Sequence, residues 1–181
     1  MRQLLTVLLL LITLNGYSQY KGTPGKAKSS LDKSMLKTDI DEKRDLLTTA
    51  KGEIDAAILN EKQNTKANTW LIRGDVYAEI AKSLPDLDSE AIEKSVQAYD
   101  KIGSEIRTKD LTIIQNVNAG KQNLSSFFIN KAITALQGSG DPDYEGAYDA
   151  FNLSLRVNPS DTLGLLPIRL GLDWVINSGF F

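Results

Sequence analysis

The spacing of apolar residues predicts a chain built from α-helices. In the first regular stretch they recur every three or four positions, which places them on one face of a helix from about Ile40 to Asn60. Thr38 or Asp39 is expected to cap its N-terminus, because short polar side chains accept hydrogen bonds from the free amides of a first turn. The residues of this stripe are Leu47, Ala50, Ile54, Ala57 and Ile58.

Two more stripes of the same period follow a polar break, NEKQNTKAN. Pro85 separates them, and Asp88 or Ser89 is expected to cap the later helix. The earlier stripe consists of Trp70, Gly74, Tyr77 and Ile80, and the later one of Ile92, Ser95, Tyr99 and Ile102.

The pattern is less regular from Gly103 to Asn123. The run LTIIQNV there has the composition of a short strand, but its neighbours of helical period favour a helix or a connector. Beyond it, Asp141 and Pro142 are expected to open a last helix that stops at Asn158-Pro159. The stripes on either side of this turn are Phe128, Ala132, Ala135 and Leu136, then Ala147, Phe151, Ser154 and Leu155. The fold class predicted is therefore all-α, made of helix pairs.

Both ends of the chain depart from this pattern. Residues 1–18 combine Arg2, an apolar run and small residues before Gln19, which is typical of a signal peptide; the alternative is an uncleaved membrane anchor. We expect an exported protein, periplasmic or secreted, with no stable membrane span after cleavage. Residues 19–30 are expected to be a flexible lead-in. Residues 163–181 hold eleven large apolar side chains, and we expect them to pack back, self-associate or dock on a partner.

The small residues within the stripes resemble those of the tetratricopeptide repeat, whose helix pairs follow W-x3-G-x2-Y and then A-x3-F-x2-A with a later proline. Three partial copies are present: Ala50-Ile54-Ala57; Trp70-Gly74-Tyr77 with Ser95-Tyr99-Ile102; and Phe128-Ala132-Ala135 with Ala147-Phe151-Ser154 and Pro159. The resemblance implies a short right-handed α-solenoid over residues 31–162, with residues 163–181 as an incomplete repeat. The alternative is an ordinary helical bundle.

Composition removes several kinds of chemistry. The 181 residues include no cysteine and no histidine, and the net charge is −2. Disulfides, thiol nucleophiles, Cys/His zinc sites and Ser-His-Asp catalysis are excluded, and nothing indicates a nucleic-acid surface. Paired carboxylates in DPD and DLDSE are explained by helix capping. We therefore predict no catalytic, cofactor-binding or metal-binding residues.

Two functions remain as hypotheses. The first is a non-enzymatic scaffold that binds a protein or peptide partner in a groove; the resemblance implies that Asn68, Leu71, Asp75, Ser126, Ile129 and Ile133 line it. These residues lack the Lys, Arg and Asn cluster that holds a C-terminal carboxylate in some members of the family. The alternative is a hydrolase that acts on saccharides with paired carboxylates, although no two acids stand in an apolar setting.

Overall fold

The computed structural model describes residues 22–137 and 141–160. Within these ranges the chain forms seven helices and no β-strand, which confirms the all-α prediction. The helices are α1 (Pro24–Met35), α2 (Ile40–Ile58), α3 (Glu61–Asn64), α4 (Ala67–Ser83), α5 (Ala91–Ser104), α6 (Leu111–Gln137) and α7 (Tyr144–Val157).

Three pairs of neighbouring helices organise the described part of the chain. Helix α1 packs on α2, α4 on α5, and α6 on α7. Short connections favour such pairing, because consecutive helices then bury their apolar stripes against each other. The pairs also contact one another in chain order, since α4 touches both α1 and α2 and α6 touches both α4 and α5.

Helix α4 lies at the centre of this arrangement. It is buried on nearly all sides, from Trp70 through Ala81, which is what a helix surrounded by other helices requires. Its apolar residues belong to a core cluster that also takes in α1, α2, α6 and α7. The core therefore depends on α4 more than on any terminal helix.

The Tyr99 ring explains the glycine in the middle of α4. A Cβ atom on Gly74 would lie within 2.8 Å of three Tyr99 ring atoms, and one on Gly120 of α6 would lie 2.7 Å from Tyr99 Cζ. Tyr99 is 1% exposed, so its ring fills the space that these two glycines leave open. The Ser95 hydroxyl donates to the Gly74 carbonyl at 2.9 Å on the same face. Helices α4, α5 and α6 thus meet at one aromatic ring.

The predicted flexible lead-in is wrong where the structure describes it. Residues 24–30 belong to α1, whose Ala27 and Leu31 are fully buried. Pro24 occupies the first turn, where its missing N–H is not needed, so it starts the helix rather than breaking it. The Glu53 carboxylate of α2 accepts a hydrogen bond from the Thr23 amide at 2.9 Å, which anchors the chain just before α1.

Several predicted helix boundaries also need correction. Asp39 caps α2 as expected, accepting from the Asp41 and Glu42 amides at 3.0 and 2.9 Å. The later caps, however, are Glu90 for α5 and Asp143 for α7. Each lies two positions after the aspartate expected to cap that helix, Asp88 or Asp141.

The stretch with a strand-like composition is helical. LTIIQNV opens α6, which continues without interruption to Gln137. Tertiary packing decides its conformation, since Val117 is buried beside Leu71 and Tyr99. The predictions for residues 1–18 and 163–181 lie outside the described residues.

Replacing Gly74 with alanine tests the contact with Tyr99. The added methyl group has no space, so we expect Gly74→Ala to lower the free energy of unfolding by about 1–3 kcal/mol, even though alanine favours helix. Gly52 in α2 is the matched control, because a Cβ there meets nothing within 4 Å. Gly52→Ala should stabilise by up to about 1 kcal/mol. Urea unfolding of both variants measures this, and a stabilised Gly74→Ala would contradict it.

Candidate functional site

Two of the residues predicted for a groove face the interior instead. Leu71 is 6% exposed and packs with Tyr99 and Val117, so it belongs to the core. Asp75 is half-buried and accepts a hydrogen bond from the Tyr99 hydroxyl at 2.7 Å. Both side chains lie on the stripe of α4 that includes Gly74 and contacts α5 and α6. Sequence spacing alone could not show that this stripe is covered.

The predicted groove residues of α6 are also partly used in packing. Ile129 packs against the Ala132 and Phe151 cluster between α6 and α7, and Ser126 is half-buried. Ile133 is 38% exposed, and Asn68 on α4 is exposed as well. Only two of the six predicted residues therefore present an open surface.

A different surface of α4 lines a cleft of about 480 Å³, which we call the Trp70 cleft. It lies between the end of α2, the first half of α4 and most of α5, with one side chain from α7. Its buried and half-buried lining consists of Ile58, Trp70, Arg73, Ile92, Val96 and Lys101. Its exposed rim consists of Glu93, Gln97, Asp100, Ser104, Glu105 and Arg156.

Cations and aromatic rings alternate along α4 from Trp70, which lines the cleft, to Tyr77, which does not, and we call this row the inner wall. Lys101 Nζ lies 4.7 Å from the Trp70 ring centroid, and Arg73 Cζ lies 6.0 Å from the same centroid. Arg73 Cζ is also 4.7 Å from the Tyr77 ring, which Lys94 approaches at 5.5 Å. The negative faces of these rings stabilise the cations, so the side chains hold one another in place.

Asp55 of α2 anchors this wall. Its carboxylate forms an ion pair with Arg73 and accepts the Tyr77 hydroxyl at 2.8 and 2.9 Å. Burial, together with the neighbouring Asp55 carboxylate, raises the pKa of Tyr77 well above its usual value, so the hydroxyl stays protonated and donates. Arg73 is 7% exposed, and it is fixed both by Asp55 and by the two rings.

The far end of the wall is fixed by Asp88. Lys94 Nζ lies 2.9 Å from its carboxylate and Lys51 Nζ lies 3.4 Å away. Burial opposes ionisation of this carboxyl group, but hydrogen bonds from Lys94 and the Glu90 amide outweigh burial and lower its pKa. Asp88 therefore joins α2 to the start of α5, although it does not cap α5.

Each charged residue on the rim of the Trp70 cleft forms an ion pair with an oppositely charged residue of the same chain. Glu93 pairs with Arg156, Glu105 with Lys101 at 2.6 Å, and Asp100 with Lys121. Each of these pairs includes an exposed carboxylate, and exposed pairs contribute little, about 0–1 kcal/mol each. They can therefore rearrange when a ligand arrives, whereas the Asp55 pair is much less free to do so.

Asp75 forms a separate polar contact on the opposite stripe of α4. Burial raises its pKa, and the hydrogen bond from Tyr99 together with Lys28 and Lys82 partly offsets that rise. Burial and the nearby Asp75 in turn raise the pKa of Tyr99, which keeps its hydroxyl a donor. This pair ties α4 to α5 and does not line the Trp70 cleft.

Sequence reasoning missed Arg73, Lys101 and the other polar residues of the Trp70 cleft. A signal was present, because Trp70, Arg73 and Tyr77 are spaced by three and four residues and so share one helix face. The partner Asp55 lies 18 positions away, which no local pattern indicates.

Comparisons with known proteins do not identify a ligand for the chain. No protein-family model, curated protein or solved structure matches the chain. In the described ranges, no three Asp or Glu side chains come together as a metal site would require, and no helix is long and apolar enough to cross a membrane.

Removing the Asp55 carboxylate tests the anchor of the inner wall. Asp55→Ala leaves the Arg73 guanidinium and the buried Tyr77 hydroxyl without their acceptor, so we expect a loss of about 1.5–3 kcal/mol in the free energy of unfolding. Asp86→Ala is the control, since it breaks only the exposed Arg44–Asp86 pair and should cost no more than about 1 kcal/mol. Equal effects in urea unfolding would show that Asp55 is not an anchor.

The raised pKa of Asp75 predicts a dependence of stability on pH. The folded state binds this proton more tightly than the unfolded state, so its contribution to stability is lost as pH rises from the unfolded pKa of about 4. Asp75→Asn keeps an oxygen acceptor for Tyr99 and does not titrate. The free energy of unfolding of Asp75→Asn minus that of wild type should therefore be larger near pH 7 than near pH 4. Exposed Asp149→Asn should show a smaller change, and a pH-independent difference for Asp75→Asn would refute the assignment.

Proposed function

We propose that this protein is a non-enzymatic scaffold that binds a protein or peptide segment in the Trp70 cleft. We further propose that its three helix pairs form a short right-handed α-solenoid of the tetratricopeptide type. The order of contacts between the pairs and the fit of Gly74 to Tyr99 support the second proposal. The apolar run near the N-terminus supports a location in the cell envelope or outside the cell.

The observation that carries the binding proposal is the composition of the Trp70 cleft. It places a tryptophan and an arginine, each 7% exposed, among aliphatic side chains and surrounds them with a charged rim. Tryptophan and arginine are enriched among the residues that contribute most to protein–protein affinity. An apolar centre with a polar rim is also the usual anatomy of an interface.

The rim carboxylates favour recognition over catalysis. Glu93, Glu105 and Asp100 each contact a cation of the same chain. Hydrolysis of a glycosidic bond needs two carboxyl groups that face one substrate, with one of them held protonated by an apolar environment. No such pair lines the described cleft, so the saccharide hydrolase is not our proposal.

Site-specific photo-crosslinking tests the proposed function. A photoreactive phenylalanine analogue replaces Gln97 on the cleft rim, Ile133 on the predicted groove, or Asn130 elsewhere on α6 as a control. All three positions are exposed. With cell-envelope proteins added, Gln97 should give discrete cross-linked species that Asn130 does not give. Cross-linking at Ile133 alone would move the binding site to the predicted groove. Identical patterns at all three positions would contradict specific binding.

A further inference from the structure

The Trp70 cleft separates its charges by depth, and this restricts the chemistry of what it can bind. Its charged inner residues are both cations, Arg73 and Lys101, and each is at least half-buried. Its three carboxylates all lie on the exposed rim. A group that reaches the Trp70 ring therefore meets the Lys101 ammonium and the Arg73 guanidinium, the latter paired with Asp55. It also meets the aliphatic side chains of Ile58, Ile92 and Val96.

Arg73 has hydrogen-bonding capacity left over in this setting. A guanidinium carries five N–H donors. The acceptor that Arg73 contacts is the Asp55 carboxylate on α2. No fully buried side-chain nitrogen in the described ranges lacks a partner, so an Arg73 nitrogen without a hydrogen bond keeps some accessible surface, and Arg73 is a lining residue of the cleft. A carboxylate is the group that matches the planar fork of a guanidinium.

Lys101 can provide the second contact. Its ion pair with Glu105 links residues one helical turn apart on an exposed surface, and such pairs are weak. Lys101 Nζ and Arg73 Cζ both lie within 6.0 Å of the Trp70 ring centroid, so the two cations stand beside the same ring.

On this basis, and resting on the function proposed above, we propose that the Trp70 cleft binds a peptide segment in which an acidic side chain is flanked by large aliphatic residues. The carboxylate lies between Arg73 and Lys101, and the aliphatic side chains cover Ile92 and Val96. Charge complementarity selects this occupant, since a basic segment would meet Arg73 and Lys101 at close range.

Tryptophan fluorescence can measure this binding directly. The chain has two tryptophans, so a full-length Trp174→Phe protein reports on Trp70 alone. The probes are Ac-Ala-Ala-Leu-Glu-Leu-Ala-Ala-NH2, the same peptide with Gln in place of Glu, and the same peptide with Lys. Blocked ends leave the central side chain as the only charge. We expect the Glu peptide to bind at least tenfold more tightly than the Gln peptide, and the difference to shrink as salt increases.

Substitution of Lys101 tests the preference for the acidic peptide in a protein that stays folded. Lys101→Met keeps an aliphatic chain beside Trp70 and removes an ammonium group that contacts the Trp70 ring and the exposed Glu105 carboxylate. It should reduce the preference for Glu over Gln, while Lys131→Met on the exposed surface of α6 should leave it unchanged. Circular dichroism confirms that both variants are folded.

The outcomes distinguish the inference from the proposed function. Equal binding of the Glu and Gln peptides would overturn the acidic specificity and leave a scaffold that recognises apolar segments. Preference for the Lys peptide would overturn the inference outright. Binding of none of the three probes would also overturn it, while the photo-crosslinking experiment would decide the scaffold function separately.

Discussion

The position of Tyr99 between two glycines is the constraint on which the rest of the arrangement depends. Its ring occupies the space that side chains on α4 and α6 would otherwise fill, so both helices approach α5 closely. The hydroxyl at the edge of the ring donates to Asp75, and Ser95 one turn earlier donates to the Gly74 carbonyl. Close packing at the Tyr99 ring therefore fixes α4, α5 and α6, because interiors packed at crystal-like density tolerate few other placements. The two hydrogen bonds strengthen the contact between α4 and α5.

This contact gives α4 two different stripes. One stripe, with Leu71, Gly74 and Asp75, is used entirely to hold α5 and α6. The other stripe, with Trp70, Arg73 and Tyr77, faces α2 and forms the inner wall of the Trp70 cleft. A rigid attachment on one side therefore positions the binding groups on the other, which is what a preorganised site requires.

The sequence predicted the helices of the described regions but not the whole of their assembly. A glycine between aromatics is costly in a helix unless something packs there, and the Tyr99 ring packs on Gly74. The first half of helix α1 was missed, because residues 24–30 form a polar stretch with Pro24 and Gly25 in which only Ala27 is buried. Four of the six predicted groove residues are buried or half-buried. The burial of Leu71 depends on Val117, a residue 46 positions later whose helix was not assigned.

The Trp70 cleft could be recognised only in three dimensions. The fixed position of Arg73 in this cleft has a consequence for binding. Arg73 is held by Asp55 and by two rings before any ligand arrives, so a ligand need not order it. Ordering a long charged side chain costs about 0.5–1.5 kcal/mol, and this cost is already met during folding. The same groups that join α2 to α4 thus make the inner wall ready to bind, which couples the strength of binding to the stability of the fold. Any ligand that requires Arg73 in this position stabilises the contact between α2 and α4, by an amount that grows with the logarithm of its concentration above Kd.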